Sequence, residues 1–316
     1  MANILGIHHV SAICGPPQEN VDFYTGVLGL RLVKLTVNYD DPSAYHFYYG
    51  DYLGTPGTLL TFFPYPEGHP GRPGSGQATL ISLGVPSDAI AYWADRFKRR
   101  DVDFDRPVSR DGLESIRFRA PDGLQLELVT STRSAAPAPL LEGPIPWAKA
   151  IVGMESITLT EREPGPTRAI LENILGFKLI SESENRLDFA VEGGGSGKTL
   201  SLSIDPDGPV GRQGRGAVHH IALRATDEAG QIEDRIQVVN QGLHASTILD
   251  RSYFRSVYFR EPGGVLLELA TDTPGFTVDE PVERLGMSLM LPERLEEYRV
   301  QIQRALEPLR LPKVNR

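Results

Sequence analysis

The feature that most constrains this chain is that it repeats itself. Setting Gly6 over Gly153 lays GIHHVSAI (6–13) on GMESITLT, and without a gap VLGLRLVKLT (27–36) falls on ILGFKLISES (174–183). Setting Gly76 over Gly216 lays GRPGSG on GRQGRG, and after one inserted residue APDGLQLELVTS (120–131) meets EPGGVLLELATD (261–272). Two interleaved repeats divide the chain into four short units. Each opens with an alternating strand (7–13, 79–85, 154–160 and 220–225). An amphipathic helix follows, for instance 20–27 or 228–240, and then three short strands with Gly, Pro or Asp at the turns. In unit one these are LRLVKLTV, AYHFYYG and TLLTFFPY; in unit four they are STILD, FRSVYFRE and VLLELAT. The fold class is therefore α+β, written as four βαβββ units.

The repeat also sets the domain organisation. Units one and two make an N-terminal half, 1–133, and units three and four a C-terminal half, 151–275. The Pro-rich stretch SAAPAPLLEGPIPW within 134–150 reads as the linker. The segments 64–76 and 205–216 read as loops between units. Residues 276–316 form an extension in which Leu295, Tyr298, Ile302 and Leu306 recur at helical spacing, as in a packing or homo-oligomer helix.

Composition narrows the class. At 316 residues the chain is long enough for about two domains and a sizeable core. A net charge of −9 argues against nucleic acid or an anionic membrane as partner. The single cysteine, Cys14, forbids an intrachain disulfide and continues the apolar end of the first strand, where it fills core. Without a long apolar run or a signal-peptide pattern, the expected location is the cytoplasm.

Against this ordinary background, two of the four opening strands carry a doubled histidine: GIHHVSAI and GAVHHIAL. Side chains alternate along a strand. In the first, His8, Val10 and Ala12 share one face, and Ile7, His9, Ser11 and Ile13 the other. In the second, His219, Ile221 and Leu223 oppose His220, Ala222 and Arg224. The face with small and polar groups suits a wet cavity, which selects His9 and His220 and turns His8 and His219 toward the helices. In GVLLELAT, the face of Leu266, Glu268 and Ala270 carries an acid between leucines, and such an acid is seldom buried unless paired or bound to metal. Two imidazoles and one carboxylate match the ligand set of non-haem Fe(II) sites, which leaves positions open for substrate and O₂. Fe(II) or Mn(II) suits these donors, and with no thiolate a structural zinc site does not. A single strand histidine is ordinarily a hydrogen-bonded core or surface residue; three candidates at matching places in the repeats are not. The repeat supplies a control, because Ser156 matches His9, Leu80 matches His220 and only Glu127 preserves Glu268. One metal per chain is expected, with Glu127 structural or vestigial.

On these residues the chain resembles the vicinal oxygen chelate superfamily. Within it, the chain is similar to the extradiol-type ring-cleaving dioxygenases that act on hydroquinones. The matching stretches are GIHHVSAI with PQENVDFYTGVLGLRLVKLTVNYDDPSAYHFYYGD, then AVHHIA, DRSYFRSVYFREPGG and LLELATD. They cover nearly the whole chain. The resemblance implies two barrel-like cups, one holding the metal, with ligands His9, His220 and Glu268. It implies supporting roles for His8, Ser11, His219, Arg251 and Tyr258. Ser11 stands where threonine is frequent, so the hydroxyl survives with less bulk. Strict alternation turns His8 and His219 away from the cavity, so either the strands bulge there or these imidazoles back the ligands from behind.

The ligand distribution requires units one and four to meet in the occupied cup and units two and three in the empty one. The implied reaction is Fe(II)-dependent cleavage of a substituted hydroquinone, with O₂ as co-substrate inserted next to a hydroxylated ring carbon. Arg251 would stabilise negative charge and Tyr258 would handle a proton. By residue type alone Arg251 is a turn-surface ion pair. His46 and Tyr48 share a strand face and are assigned to the substrate pocket, whereas His69 and His244 fall on solvated loops. Two other classes compete. A glyoxalase-type lyase or isomerase wants more carboxylate or amide ligands than this. A non-catalytic small-molecule binder of the same superfamily is shorter and lacks the ligand triad.

Overall fold

The computed structural model describes residues 4–110, 112–131 and 143–312; most of the expected linker lies outside them. The unit rhythm appears as strands in chain order. Unit one has β1 (Ile4–Cys14), β2 (Arg31–Asn38), β3 (Asp41–Gly50) and β4 (Leu59–Pro64). Unit two has β5 (Gln77–Val85), β6 (Val108–Arg110), β7 (Leu113–Arg119) and β8 (Gln125–Thr130). Unit three has β9 (Gly153–Glu161), β10 (Lys178–Ser183), β11 (Arg186–Ala190) and β12 (Thr199–Ile204). Unit four has β13 (Val218–Ala225), β14 (Leu249–Asp250), β15 (Arg255–Arg260) and β16 (Leu266–Ala270).

The four opening helices differ in regularity. In unit one α1 (Pro17–Val21) starts on a proline and widens into a π-helical turn, Asp22–Val27, closed by Leu28 N–H donating to Phe23. The amphipathic pattern expected over 20–27 is thus helical with a changed pitch. In units two to four the helices are α2 (Ile90–Arg99), α3 (Pro164–Asn173) and α4 (Glu228–Asn240), the last capped by the Asp227 carboxylate accepting from Gly230 N–H. The outer, apolar strand faces pack under these helices; Trp93 and Phe97 of α2, for example, are fully buried.

The strands form two eight-stranded sheets with the same internal order. One runs β14-β15-β16-β13-β1-β4-β3-β2 and the other β10-β11-β12-β9-β5-β8-β7-β6. Unit one joins unit four through the antiparallel β1–β13 pair, and unit two joins unit three through β5–β9. This is the pairing that the split of candidate ligands between units one and four required. The two inter-unit loops meet each other: Arg72 and Arg212 exchange both backbone hydrogen bonds (2.9 and 2.8 Å).

The C-terminal extension differs from the expected single helix. It holds two short helices, α5 (Glu293–Glu296) and α6 (Arg299–Ala305), broken at Glu297–Tyr298, where Tyr298 N–H bonds back only three residues to Leu295. Ile302 and Leu306 are buried, but Tyr298 is exposed. Upstream of these helices, the extension is held by the buried Lys34, whose ammonium reaches Asp279 and Glu280 at 2.5 Å each.

Candidate metal centre

Three neighbouring strands carry the candidate ligands. Register places His9 of β1 opposite Ala222 of β13, and Ala222 opposite Glu268 of β16. Ala222 is fully buried between them, and its small side chain leaves room for the imidazole and the carboxylate to lean together. His220, two residues along β13, lies level with Ser11. The result is a convergent triad: His9 Nε2 to His220 Nε2 3.2 Å, His9 Nε2 to Glu268 Oε2 3.4 Å and His220 Nε2 to Glu268 Oε2 2.9 Å. Among the described residues this is the group of three or more His, Cys, Asp and Glu side chains that could hold a metal ion.

The doubled histidines work through β-bulges. Between Ile7↔Leu223 and His9↔Ala222, β1 advances two residues against one, and the extra residue is His8. Between Ser11↔His220 and Ala12↔Val218 the excess is on β13, and the extra residue is His219. Strict alternation, which turned both imidazoles toward the helices, fails at these two residues. Instead His8 Nδ1 lies 2.9 Å from His9 Nδ1, and His219 Nδ1 lies 2.8 Å from His220 Nδ1. His219 lines the cavity, and His8 is buried beneath Phe254, whose ring also covers His9.

This arrangement sets the protons. Burial, with the neighbouring His9, lowers the pKa of His8 to about 3, so its ring is neutral. It also hydrogen-bonds the backbone of Thr271, a carbonyl that can only accept. Its one N–H goes there, leaving Nδ1 as acceptor. His9 must then donate Nδ1–H to His8 and turn a bare Nε2 lone pair into the triad. Burial and His220 likewise lower His219 to about 3. Glu268 is fully buried; Ser256 Oγ donates to its Oε1 at 2.5 Å, while Oε2 is left without a hydrogen bond. A bare nitrogen and an orphaned carboxylate oxygen at the meeting point of three side chains fit a cation.

Above the triad is a cavity of about 350 Å³. His46 and Tyr48 of β3 line it, as do Arg251, Phe254 and Tyr258. Tyr258 sits opposite Glu268, with its ring edge-on to His220 at 5.5 Å. Burial first and Glu268 second push its pKa up, so the phenol keeps its proton. Arg251 combines both readings of its type. It pairs with exposed Asp40 at 3.1 Å, and its guanidinium also lies 5.3 Å from the Tyr258 ring centre, in the cavity wall. Ser11 is fully buried beneath the cavity wall, its hydroxyl 2.6 Å from Thr61. His69 and His244 are exposed, away from the site. Residue-type reasoning passed over Ser256, Thr61 and Phe254. For Ser256 a signal existed, since it shares the period-two face of Tyr258.

The other sheet provides the contrast. Its row Ser156–Ser82–Glu127–Arg117 occupies the places of His9–Ala222–Glu268–Tyr258. Both bulges persist, at Thr79 and Glu155, but no imidazole stands on them. Glu127 instead accepts a hydrogen bond from Ser82 at 2.8 Å and pairs with Arg117 at 3.3 Å.

Comparison with known proteins agrees with this duplicated architecture. The family model described as "Glyoxalase/Bleomycin resistance protein/Dioxygenase superfamily" matches residues 6–128 and again 153–269. The chain belongs to that superfamily. It is 41% identical over 304 residues to "Putative ring-cleaving dioxygenase MhqO" of Bacillus subtilis (strain 168), covering 96% of both chains. It is 33% identical over 309 residues to chlorohydroquinone/hydroquinone 1,2-dioxygenase of Sphingobium indicum, covering 95% of both. A crystal structure described as a "putative dioxygenase" from Bacillus subtilis superposes with a TM-score of 0.93 at 40% identity, over 99% of this chain and 100% of that one. Glyoxalase I from Zea mays, at 15% identity and a TM-score of 0.62, shares the fold over 85% of this chain and 92% of its own.

Proposed function

We propose that this superfamily member is a ring-cleaving dioxygenase that opens hydroquinones by extradiol-type chemistry at an Fe(II) held by His9, His220 and Glu268. The observation that carries the reading is the convergence of two Nε2 atoms and one carboxylate oxygen at the base of an aromatic-lined cavity. Three protein donors on one side leave the cavity side open, as oxygen chemistry at Fe(II) requires. The similarity to a chlorohydroquinone/hydroquinone 1,2-dioxygenase supports the substrate class. Bound Fe(II), or Mn(II) in the same donors, would acidify a ligated phenol and bring it together with O₂.

The chain's own residues supply the rest. A cavity of about 350 Å³ admits a single substituted ring and few waters. Phe254, Phe63 and Tyr48 provide apolar surface for that ring. Tyr258 retains its proton close to the triad and is placed to give it to an oxygen of the opening ring. Arg251 offers a fixed positive charge to the acid that forms. His8 and His219 hold the ligand imidazoles by their Nδ1 atoms, so neither ligand ring has to be reoriented when metal enters.

The test is anaerobic reconstitution with Fe(II), addition of hydroquinone, methylhydroquinone or catechol, and measurement of O₂ uptake. Uptake with a hydroquinone is expected. An iron-loaded protein that consumes no O₂ with any of the three would overturn the reading.

A further inference from the structure

His46 is the cavity residue whose surroundings are most fully built and whose purpose the triad does not explain. Its ring is held between Tyr48 and Phe63, with centroid separations of 4.1 Å to each. Its Nε2 lies 2.9 Å from Thr61 Oγ1, and Thr61 Oγ1 lies 2.6 Å from Ser11 Oγ. Thr61 and Ser11 are both fully buried. A side chain fixed by two ring contacts and a two-hydroxyl chain cannot turn to suit a ligand, so the ligand must suit it.

The hydroxyl chain also dictates what His46 offers. Ser11 Oγ has no hydrogen-bond partner other than Thr61 among the described residues. If His46 Nε2 carried the proton, Thr61 would accept from it and donate to Ser11, and the Ser11 hydroxyl proton would be buried with no acceptor. That is a costly arrangement. In the opposite order Ser11 donates to Thr61, Thr61 donates to Nε2, and every proton is used. The neutral ring then carries its own proton on Nδ1. Nδ1 has no partner among the described residues, and His46 lines the cavity together with His9 and His220. Other polar groups around the mouth are already engaged. Asn38 bonds Tyr65, Tyr65 bonds Asp41, Tyr39 bonds Ser252 and Arg251 pairs with Asp40.

We propose that His46, oriented by Thr61 and Ser11, donates its Nδ1–H to the substrate oxygen that the His9–His220–Glu268 centre does not hold, and so selects a para-diphenol. In a hydroquinone that second oxygen lies on the far side of the ring from the first. It gains carbonyl character, and becomes a better acceptor, whenever electron density leaves the ring. A monophenol leaves the donor unmatched in a desolvated wall, which is where a missing hydroxyl discriminates most strongly. This inference rests on the hydroquinone reading above.

The test is anaerobic equilibrium binding of hydroquinone and of phenol to the Fe(II)-loaded protein and its variants, alongside O₂ uptake. His46→Phe keeps the ring stack but removes the donor. It should weaken hydroquinone by about 10- to 100-fold, the worth of one buried hydrogen bond, and change phenol by less than about twofold. His46→Gln, which restores an N–H, should recover part of the loss. Thr61→Val should weaken hydroquinone selectively as well, because it frees Nε2 to take the proton. Equal losses for the two ligands, or none, would overturn the assignment while O₂ uptake by the wild type leaves the dioxygenase reading standing. If wild-type protein binds no hydroquinone, both fall.

Discussion

At the residue scale, each candidate ligand histidine is supported by the histidine before it. His8 and His219 are neutral at any physiological pH, burial being the main reason, and each presents Nδ1 to the Nδ1 of its neighbour. Replacing His8 by Leu should therefore leave all three candidate ligands present and yet lower iron affinity by about 10- to 100-fold, measured by competition with a chelator. His220→Ala should go further and abolish stoichiometric iron; metal content equal to wild type would remove it from the ligand set. Tyr258→Phe tests a different function. Iron content should be unchanged and kcat should fall by about 100-fold or more, since the phenol's proton is lost while its ring stays.

At the element scale, the bulges matter more than the strands. A regular β1 would send His8 and His9 to opposite faces, and the same holds for His219 and His220 on β13. One extra residue in each strand brings both imidazoles of a pair within hydrogen-bonding distance. The period-two pattern put His9, His220 and Glu268 on the faces that the structure brings together, because their side chains obey local alternation. It misplaced His8 and His219, because a bulge depends on how one strand registers against another far away in sequence. The segment after β16 is likewise positioned by a distant element. Lys34 of β2 holds Asp279 and Glu280, while Phe276 packs against Tyr48 in the cavity wall. Lys34→Met should cost about 3–5 kcal/mol in urea unfolding, because it strands two carboxylates in partly buried surroundings. Adding Glu280→Gln should return part of that stability.

At the scale of the whole molecule, the two sheets touch through a pair of acids. Glu261, just after β15, accepts from Thr167, Gly263 and Val265, with distances of 2.7–2.8 Å. Glu161, at the end of β9 in the other sheet, faces it with Oε1 unpaired. Burial first, then the Glu261 charge, raise Glu161 from 4.5 to about 8. The native state thus holds a proton that the unfolded chain releases near 4.5. The stabilisation from this group is complete below 4.5 and is lost as pH rises through about 8. Thermal stability of the wild type should fall relative to Glu161→Gln between pH 5 and pH 8, measured by scanning calorimetry; parallel curves would show that the seam does not titrate. The repeat, the α+β units, the face carrying His9, and the absence of histidine at Ser156 and Leu80 were all legible in the sequence. Alternation and internal similarity are local properties, and they survive in one dimension. The pairing of unit one with unit four also followed, once the ligands had to share one site. The proton order through Ser11, Thr61 and His46, the bulges, Ser256 beneath Glu268 and the facing glutamates did not follow. Each joins residues from separate strands, and only sheet register and burial bring such groups within a few ångströms and remove the water that would otherwise serve them.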